Sequence, residues 1–361
     1  MMPGQTRYQL RQAAMLEAAG GAQNEIEALL LHAARVAPFL AEPWMRLGIF
    51  YEASDPQKAE QLLLRAAAAD HTFKPVWTLA NFYLRQNREG PFWKYARRAL
   101  ELTEPRAYAP EPVFDLCWRA SSNAPSILAN AIPDNTYVRA AYVRYLLSRN
   151  RVEPALLAWR TLHSSRQAQD PLPGYELTEQ LIAANRPVEA LEVWNASHAG
   201  APTDPLIGHS LTNEGLTSEP TGRGFDWRLE PSPGAALQYF SDGREIRAQL
   251  DGSESEDIEL LVQNVPVVPG ARYSFSFEYR TEDVPPGSGL QWVVVDALNN
   301  LPQPSNCASL SSSDPTRAAC QFRAGPSQQL VRLALRYRRA LGTRLLHGSV
   351  RFSKLHLEKL N

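Results

Sequence analysis

No apolar run in these 361 residues approaches the roughly 18 needed to cross a bilayer. An excess of either charge is missing too. With 37 basic and 38 acidic side chains, the formal net charge of -1 gives no overall attraction to nucleic acid or anionic lipid. The opening stretch MMPGQTRYQLRQAAM has no apolar h-region, so no signal peptide is expected in it. This fits a cytosolic chain, and equally a segment that follows a removed or separate membrane anchor. Catalytic signatures are also lacking: there is no GxSxG elbow, no P-loop, and no GxGxxG after a strand. The seven histidines show neither HxH nor HExxH spacing, so no metal ligand is named and no cofactor is expected. No carboxylate pair is tied to a cleft by its spacing, which leaves a glycosidase dyad without support. The chain is therefore read as a non-enzyme.

Cysteine is scarce. Cys117 lies in the first half, whereas Cys307 and Cys320 flank a Ser/Pro-rich stretch near the end. That pair either forms a disulfide, which favours an oxidising compartment, or stays as two structural thiols. What is abundant is ordinary globular sequence, 44% hydrophobic and 21% charged, long enough for two domains. The 28 prolines imply many loops and strand borders.

Self-similarity organises the first half. PWMRLGIFYEASDPQKAEQLLLRAAAAD (43 to 70) resembles PVWTLANFYLRQNREGPFWKYARRALEL (75 to 102), with Trp44/Trp77 and Ala66/Ala99 each 33 positions apart. NRVEPALLAW (150 to 159) matches NRPVEALEVW (185 to 194) at an offset of 35. Small residues such as Ala66, Ala80, Ala155 and Ala190 let paired helices approach. Trp44, Tyr51, Trp77 and Tyr83 fill the groove on the next hairpin. One hairpin cannot bury its apolar face alone, so such units stack. The Asn-Arg pairs at 87, 150 and 185 sit where a turn between helices belongs. From about residue 10 to 198 the chain resembles the tetratricopeptide repeat family, whose period is about 34 residues. Between Glu104 and Asn135 five prolines break the period, and that stretch is read as a distorted repeat. The resemblance implies a protein partner bound along the repeats. No carboxylate-clamp pattern of Lys and Asn stands out, so no peptide-binding residue is named.

From about Pro205 the period drops from 3.6 to 2. Tyr273, Phe275, Phe277 and Tyr279 alternate with polar residues, and Val331, Leu333, Leu335 and Tyr337 alternate with Arg332, Ala334, Arg336 and Arg338. Further strands are expected at 245–250, 258–265, 291–296, 320–322 and 348–357. Seven or more short strands separated by Pro, Gly and Ser indicate a sandwich. The fold expected is thus multidomain: an all-α tetratricopeptide-like solenoid (1–200) followed by an all-β jelly roll (205–361).

Residues 208 to 358 resemble the galactose-binding-like jelly roll of carbohydrate-binding modules. They look most like the GFDWR-type sandwich that follows tetratricopeptide repeats in bacterial exopolysaccharide and O-antigen proteins. The resemblance is carried by Gly224-Phe225-Asp226-Trp227-Arg228, by Val267-Val268-Pro269-Gly270, and by Arg280-Thr281-Glu282 before Ser288-Gly289. It implies a scaffold or adaptor in cell-surface polysaccharide assembly or export, located outside the inner membrane beside a membrane-anchored neighbour. The alternative is a pure protein-interaction scaffold whose sandwich binds no sugar. Relatives put acidic residues, one of them helping to hold a structural calcium, where this chain has Ser353 and Lys354, with Thr217 at the first-strand position. A hydroxyl and an ammonium are poor calcium ligands, so none is expected. In the last strand Val350/Phe352 and Leu355/Leu357 differ in parity, which predicts a one-residue bulge at Ser353-Lys354.

Sugar rings stack on Trp or Tyr while charged and amide groups bond their hydroxyls. The candidate carbohydrate-binding residues are therefore Trp292, Asp296, Glu278, Arg280, Arg336, Arg338 and Trp227. In the competing reading the tryptophans cover the core edge and the arginines form a solvated face. Within GFDWRL, alternation places Phe225 and Trp227 on one face, sealing the core, with Asp226 and Arg228 opposite.

Overall fold

Three helices stop at the Asn-Arg pairs of the repeats. Asn87, Asn150 and Asn185 adopt φ of 54°, 55° and 56°. Each following N–H turns back to an earlier carbonyl, Arg88 to Tyr83 at 2.9 Å, Arg151 to Leu146 at 2.9 Å and Arg186 to Leu181 at 2.8 Å. This Schellman closure satisfies carbonyls that a helix end leaves unpaired, and it needs a left-handed residue that Asn tolerates.

A computed structural model of the chain describes residues 3–163 and 171–360. It divides into two compact units, Met1–Gln169 and Asp170–Asn361. The first holds ten helices among its described residues: α1 (Pro3–Ala18), α2 (Gln23–Val36), α3 (Ala41–Tyr51), α4 (Pro56–Ala69), α5 (Phe73–Arg85), α6 (Glu89–Glu101), α7 (Glu111–Ala120), α8 (Ala124–Asn130), α9 (Thr136–Ser148) and α10 (Val152–His163). The pairs α1/α2, α3/α4, α5/α6 and α9/α10 form hairpins, and α3, α5, α7 and α9 stack in turn, giving an all-α solenoid. Ala59, Ala66, Ala80, Ala96 and Ala99 are fully buried at the crossings. Gly48 belongs with them, since a Cβ there would lie 2.5 Å from Leu63 Cγ on the facing helix.

Ion pairs repeat with the hairpins: Arg46–Glu17 at 2.6 Å, Arg85–Glu52 at 2.5 Å and Arg149–Asp115 at 3.1 Å. Half-exposed pairs of this kind add about 1 kcal/mol or less each, so they set register more than stability. The proline-rich stretch forms a shortened repeat. Its second helix, α8, has seven residues and packs on α6 and α10. Tyr108 in the preceding loop stacks on Phe73 at 4.7 Å. No helix among the described residues is long and apolar enough to cross a membrane.

The second unit begins with the hairpin α11 (Leu172–Ala183) and α12 (Pro187–Ser197) and continues into nine strands. They are β1 (Arg228–Leu229), β2 (Ala235–Phe240), β3 (Glu245–Asp251), β4 (Asp257–Pro266), β5 (Arg272–Glu282), β6 (Leu290–Asp296), β7 (Thr316–Arg323), β8 (Leu330–Arg338) and β9 (His347–Leu360). They form two antiparallel sheets, ordered β1-β4-β8-β6 and β2-β3-β9-β5-β7, which is a jelly-roll sandwich. The last helix ends at Ser197 and the first strand begins at Arg228, whereas the packing boundary falls at 169/170. The α11–α12 hairpin, helical by sequence, groups with the sandwich because Trp194 of α12 packs on the GFDWR turn.

Alternating residues supply the core. Tyr273, Phe275, Trp292, Leu335, Tyr337 and Phe352 are each 0–1% exposed. Such burial contributes roughly 1.5–3 kcal/mol per large side chain before entropy is counted. The β9 bulge is present. Pairing with β5 shifts between Ser276 and Glu278, Lys354 takes φ 51°, and Val350, Phe352, Leu355 and Leu357 all point inward.

The segment after β6 closes one side of the sandwich. It bridges β6 through Val295↔Pro302 and Gln291↔Ser309, then β7 through Ser305↔Phe322. Both are edge strands, so the segment also covers backbone groups that would otherwise invite pairing with another chain. A Cys307–Cys320 disulfide, Cα–Cα 4.5 Å, fastens it to β7. Cys117 is free and buried, with its thiol pushed up to about 12 by desolvation.

Candidate functional site

GFDWR is a turn before it is a strand. Gly224 has φ 51°, and a Cβ on it would lie 2.5 Å from Trp194 Cε3. Only glycine combines that backbone with that approach. Because the backbone turns here, the alternation expected for Phe225 and Trp227 fails. Both are fully buried, but in different places. Phe225 meets Trp194 of α12 edge-on at 6.2 Å, whereas Trp227 enters the sandwich core beside Trp292 at 5.9 Å. Asp226 does fix the turn. Its carboxylate accepts from Thr221 N at 2.7 Å and Trp227 N at 2.8 Å. Arg228 donates to Gly224 O at 3.2 Å, and Gln263 Nε2 donates to Phe225 O at 2.8 Å. GFDWR is thus the joint between the hairpin and the sandwich.

The two tryptophans offered as stacking platforms are core residues. Trp292, 1% exposed, is enclosed by Phe275, Phe352, Phe277 and Trp227 at 4.9–5.9 Å. Trp227 is 0% exposed. Neither shows a face to a sugar ring. The correction has a simple cause, because alternation assigns a side of a strand but not whether that side is covered.

The remaining candidates fall on two separate surfaces. Asp296 ends β6 and accepts from Leu298 N at 2.8 Å, Asn299 N at 3.2 Å and Gln328 Nε2 at 3.0 Å, which makes it a loop cap. Arg336 and Arg338 lie on the outer face of the four-stranded sheet. Arg336 forms a fork with Asp257 at 2.5 and 2.6 Å, and its hydrogen bonds hold that carboxyl below the usual carboxylate range. Arg338 is exposed, 3.9 Å from the same carboxylate. Glu278 and Arg280 lie on the outer face of the other sheet. The seven residues do not converge on one place.

Around Glu278 and Arg280, however, a groove has formed. One lobe of about 220 Å³ is lined by Glu245, Glu278, Arg280 and Arg351, with Tyr279 at its side. A second of about 480 Å³ is lined by Glu214, Arg244, Arg317, Lys354 and His356. The lobes share Ser353, so they adjoin at the β9 bulge. Thr217, Ser353 and Lys354, where no calcium ligand is expected, line this groove. Thr217 lies 3.4 Å from Asn213 Oδ1, and Lys354 Nζ reaches Glu278 at 2.9 Å. Among the described residues no group of three or more His, Cys, Asp or Glu is arranged to hold a metal ion. Sequence reading passed over Arg244, Arg317 and Arg351 because they lie far apart along the chain. Their shared face follows only from strand order 3-9-5-7.

A different concavity, about 300 Å³ and mostly apolar, lies between α12 and the sandwich within this unit. It is lined by Pro187, Val188, Leu191, Leu206, Val267 and Val268 among others.

No protein-family model and no curated protein matches the chain. Solved structures similar to parts of it include a carbohydrate-binding module, CBM4, at 13% identity and TM-score 0.33, covering 42% of this chain and 100% of that one. Pseudomonas aeruginosa pilF is 12% identical with TM-score 0.26, covering 53% of this chain and 89% of that one. The type IV pilus biogenesis factor PilW is 16% identical with TM-score 0.28, covering 53% and 92%.

Proposed function

We propose that this protein is a non-enzymatic scaffold in which the helical solenoid binds a protein partner and the sandwich binds carbohydrate. The observation that carries the second half is the polar groove around Glu278 and Arg280, where acceptors and donors face solvent on a rigid sheet. Such groups suit sugar hydroxyls. Binding there would rest on hydrogen bonds rather than on ring stacking, since Trp227 and Trp292 are enclosed. The setting proposed is polysaccharide assembly or export at a bacterial cell surface, outside the inner membrane. It rests on the resemblance of the GFDWR sandwich, and the Cys307–Cys320 disulfide favours an oxidising compartment.

A glycan array probed with the full chain tests the reading. Binding that is lost on Glu278→Gln or Arg280→Ala supports it. A folded chain that binds no neutral or acidic glycan overturns the carbohydrate half. The second reading, a scaffold that binds proteins alone, is favoured by the enclosure of both tryptophans and by the apolar concavity beside Val188 and Leu206.

A further inference from the structure

Arg247 on β3, Arg351 on β9 and Arg280 on β5 stand directly opposite one another across three neighbouring strands. Like charges placed so oppose sheet formation. Two of the three are partly compensated. Glu245 lies 3.2 Å from Arg351, while Glu282 lies 3.5 Å from Arg247 and 3.8 Å from Arg351. Arg280 is exposed and has no ion-pair partner among the described residues.

The groove beside this row shows the same imbalance. Five cationic side chains line its two lobes against three carboxylates. All three carboxylates are engaged: Glu245 with Arg351, Glu278 with Lys354, and Glu214 with His356. Arg244, Arg280 and Arg317 remain solvent-facing, without an ion-pair partner among the described residues. Their placement follows from the ladder. Arg317 is opposite Glu278 on β7, diagonal to Arg280, while Arg244 precedes β3 on the far side of β9.

We propose that this groove binds a carboxylate-bearing glycan, a chain containing uronic acids, through the open guanidinium forks of Arg280, Arg317 and Arg244. This rests on the carbohydrate reading above and specifies the class of sugar. A guanidinium fork matches a carboxylate bidentately. The interleaved Glu245, Glu278 and Ser353 accept from hydroxyl groups, which a uronate chain carries between its charges. The same carboxylates work against a densely charged phosphodiester, which presents a charge every few ångströms. An acidic peptide would bring charge without the hydroxyl donors.

The test is calorimetric titration of the full chain with oligomers of galacturonate, mannuronate and glucuronate, and with their carboxyl-reduced neutral counterparts. The expected result is that at least one uronate oligomer binds, its neutral counterpart at least about tenfold more weakly. Arg280→Gln with Arg317→Gln should weaken uronate binding about tenfold or more and flatten its salt dependence. Arg344→Gln, exposed in the loop before β9 and carrying the same charge change, should leave it unaltered. Equal affinity for acidic and neutral oligomers would overturn the charge assignment while keeping the carbohydrate reading. Loss of binding to every glycan would remove both. Tighter binding of poly-L-glutamate than of any uronate would assign the face to an acidic protein partner instead.

Discussion

Gly224→Ala is a sharp test of the GFDWR joint. Two costs meet at this position. A residue with a Cβ held at φ 51° loses roughly 1–2 kcal/mol, as left-handed backbone does for any non-glycine residue of ordinary type. The new methyl would also lie 2.5 and 2.6 Å from Cε3 and Cζ3 of Trp194, a fully buried ring that stacks on His198 at 4.5 Å. Overpacking of that kind costs typically about 1–3 kcal/mol. The combined loss should be about 2–5 kcal/mol, read as the shift in guanidinium-induced unfolding. A double-mutant cycle with Trp194→Leu separates the two parts. Removing the ring is itself destabilising, but it makes room for the methyl. The cycle should therefore show a favourable coupling of about 1 kcal/mol or more. A Gly224→Ala variant within about 0.5 kcal/mol of the parent would refute the argument, as would a coupling of zero.

Other expectations follow from the same contacts. Trp292→Ala should cost about 3–5 kcal/mol in chemical unfolding, as truncation of an enclosed aromatic does, whereas an open sugar platform would lose little stability. Reduction of Cys307–Cys320, or Cys307→Ser, should lower stability by roughly 3 kcal/mol on the loop-entropy account; a shift below about 0.5 kcal/mol would mean the strap is held by its bridges alone. His198 has its pKa lowered by burial, with Asp226 opposing the shift. The unfolded chain therefore takes up protons first, and the stability due to neutral His198 is present above pH 6.5 and lost as pH falls through the lower folded value. The slope of stability against pH should flatten in His198→Gln, and an unchanged slope would count against that account. Ala at Asn87, Asn150 or Asn185 should each cost about 1–2 kcal/mol, because the left-handed turn persists without the residue that tolerates it.

How much of this was legible beforehand differs from element to element. The Asn-Arg pairs at 87, 150 and 185 marked the helix turns because turn chemistry is local. The β9 bulge was legible because a parity change between Phe352 and Leu355 has one simple geometric remedy. The edge strand β2 was missed, since AALQYF has little inside–outside contrast and only its first residue is buried. The GFDWR alternation misled because it presumed extended backbone where Gly224 turns the chain. The candidate site fared worst. Trp292 and Arg280 carry the right chemistry, yet one is in the core and the other on a sheet face well away from Arg336.

The sequence by itself determined the periods, and with them the order of the helices and of most strands, the Asn-Arg turns and the β9 bulge. These depend on neighbours within a few residues. Tertiary structure alone decided which strand faces meet water and which distant residues share a face. It put Phe225 and Trp227 into two different cores, drew the α11–α12 hairpin to the sandwich, joined Cys307 to Cys320, and set Arg247, Arg351 and Arg280 in one row. The physical reason is that strand order brings together residues up to about a hundred positions apart, and no local pattern records that pairing.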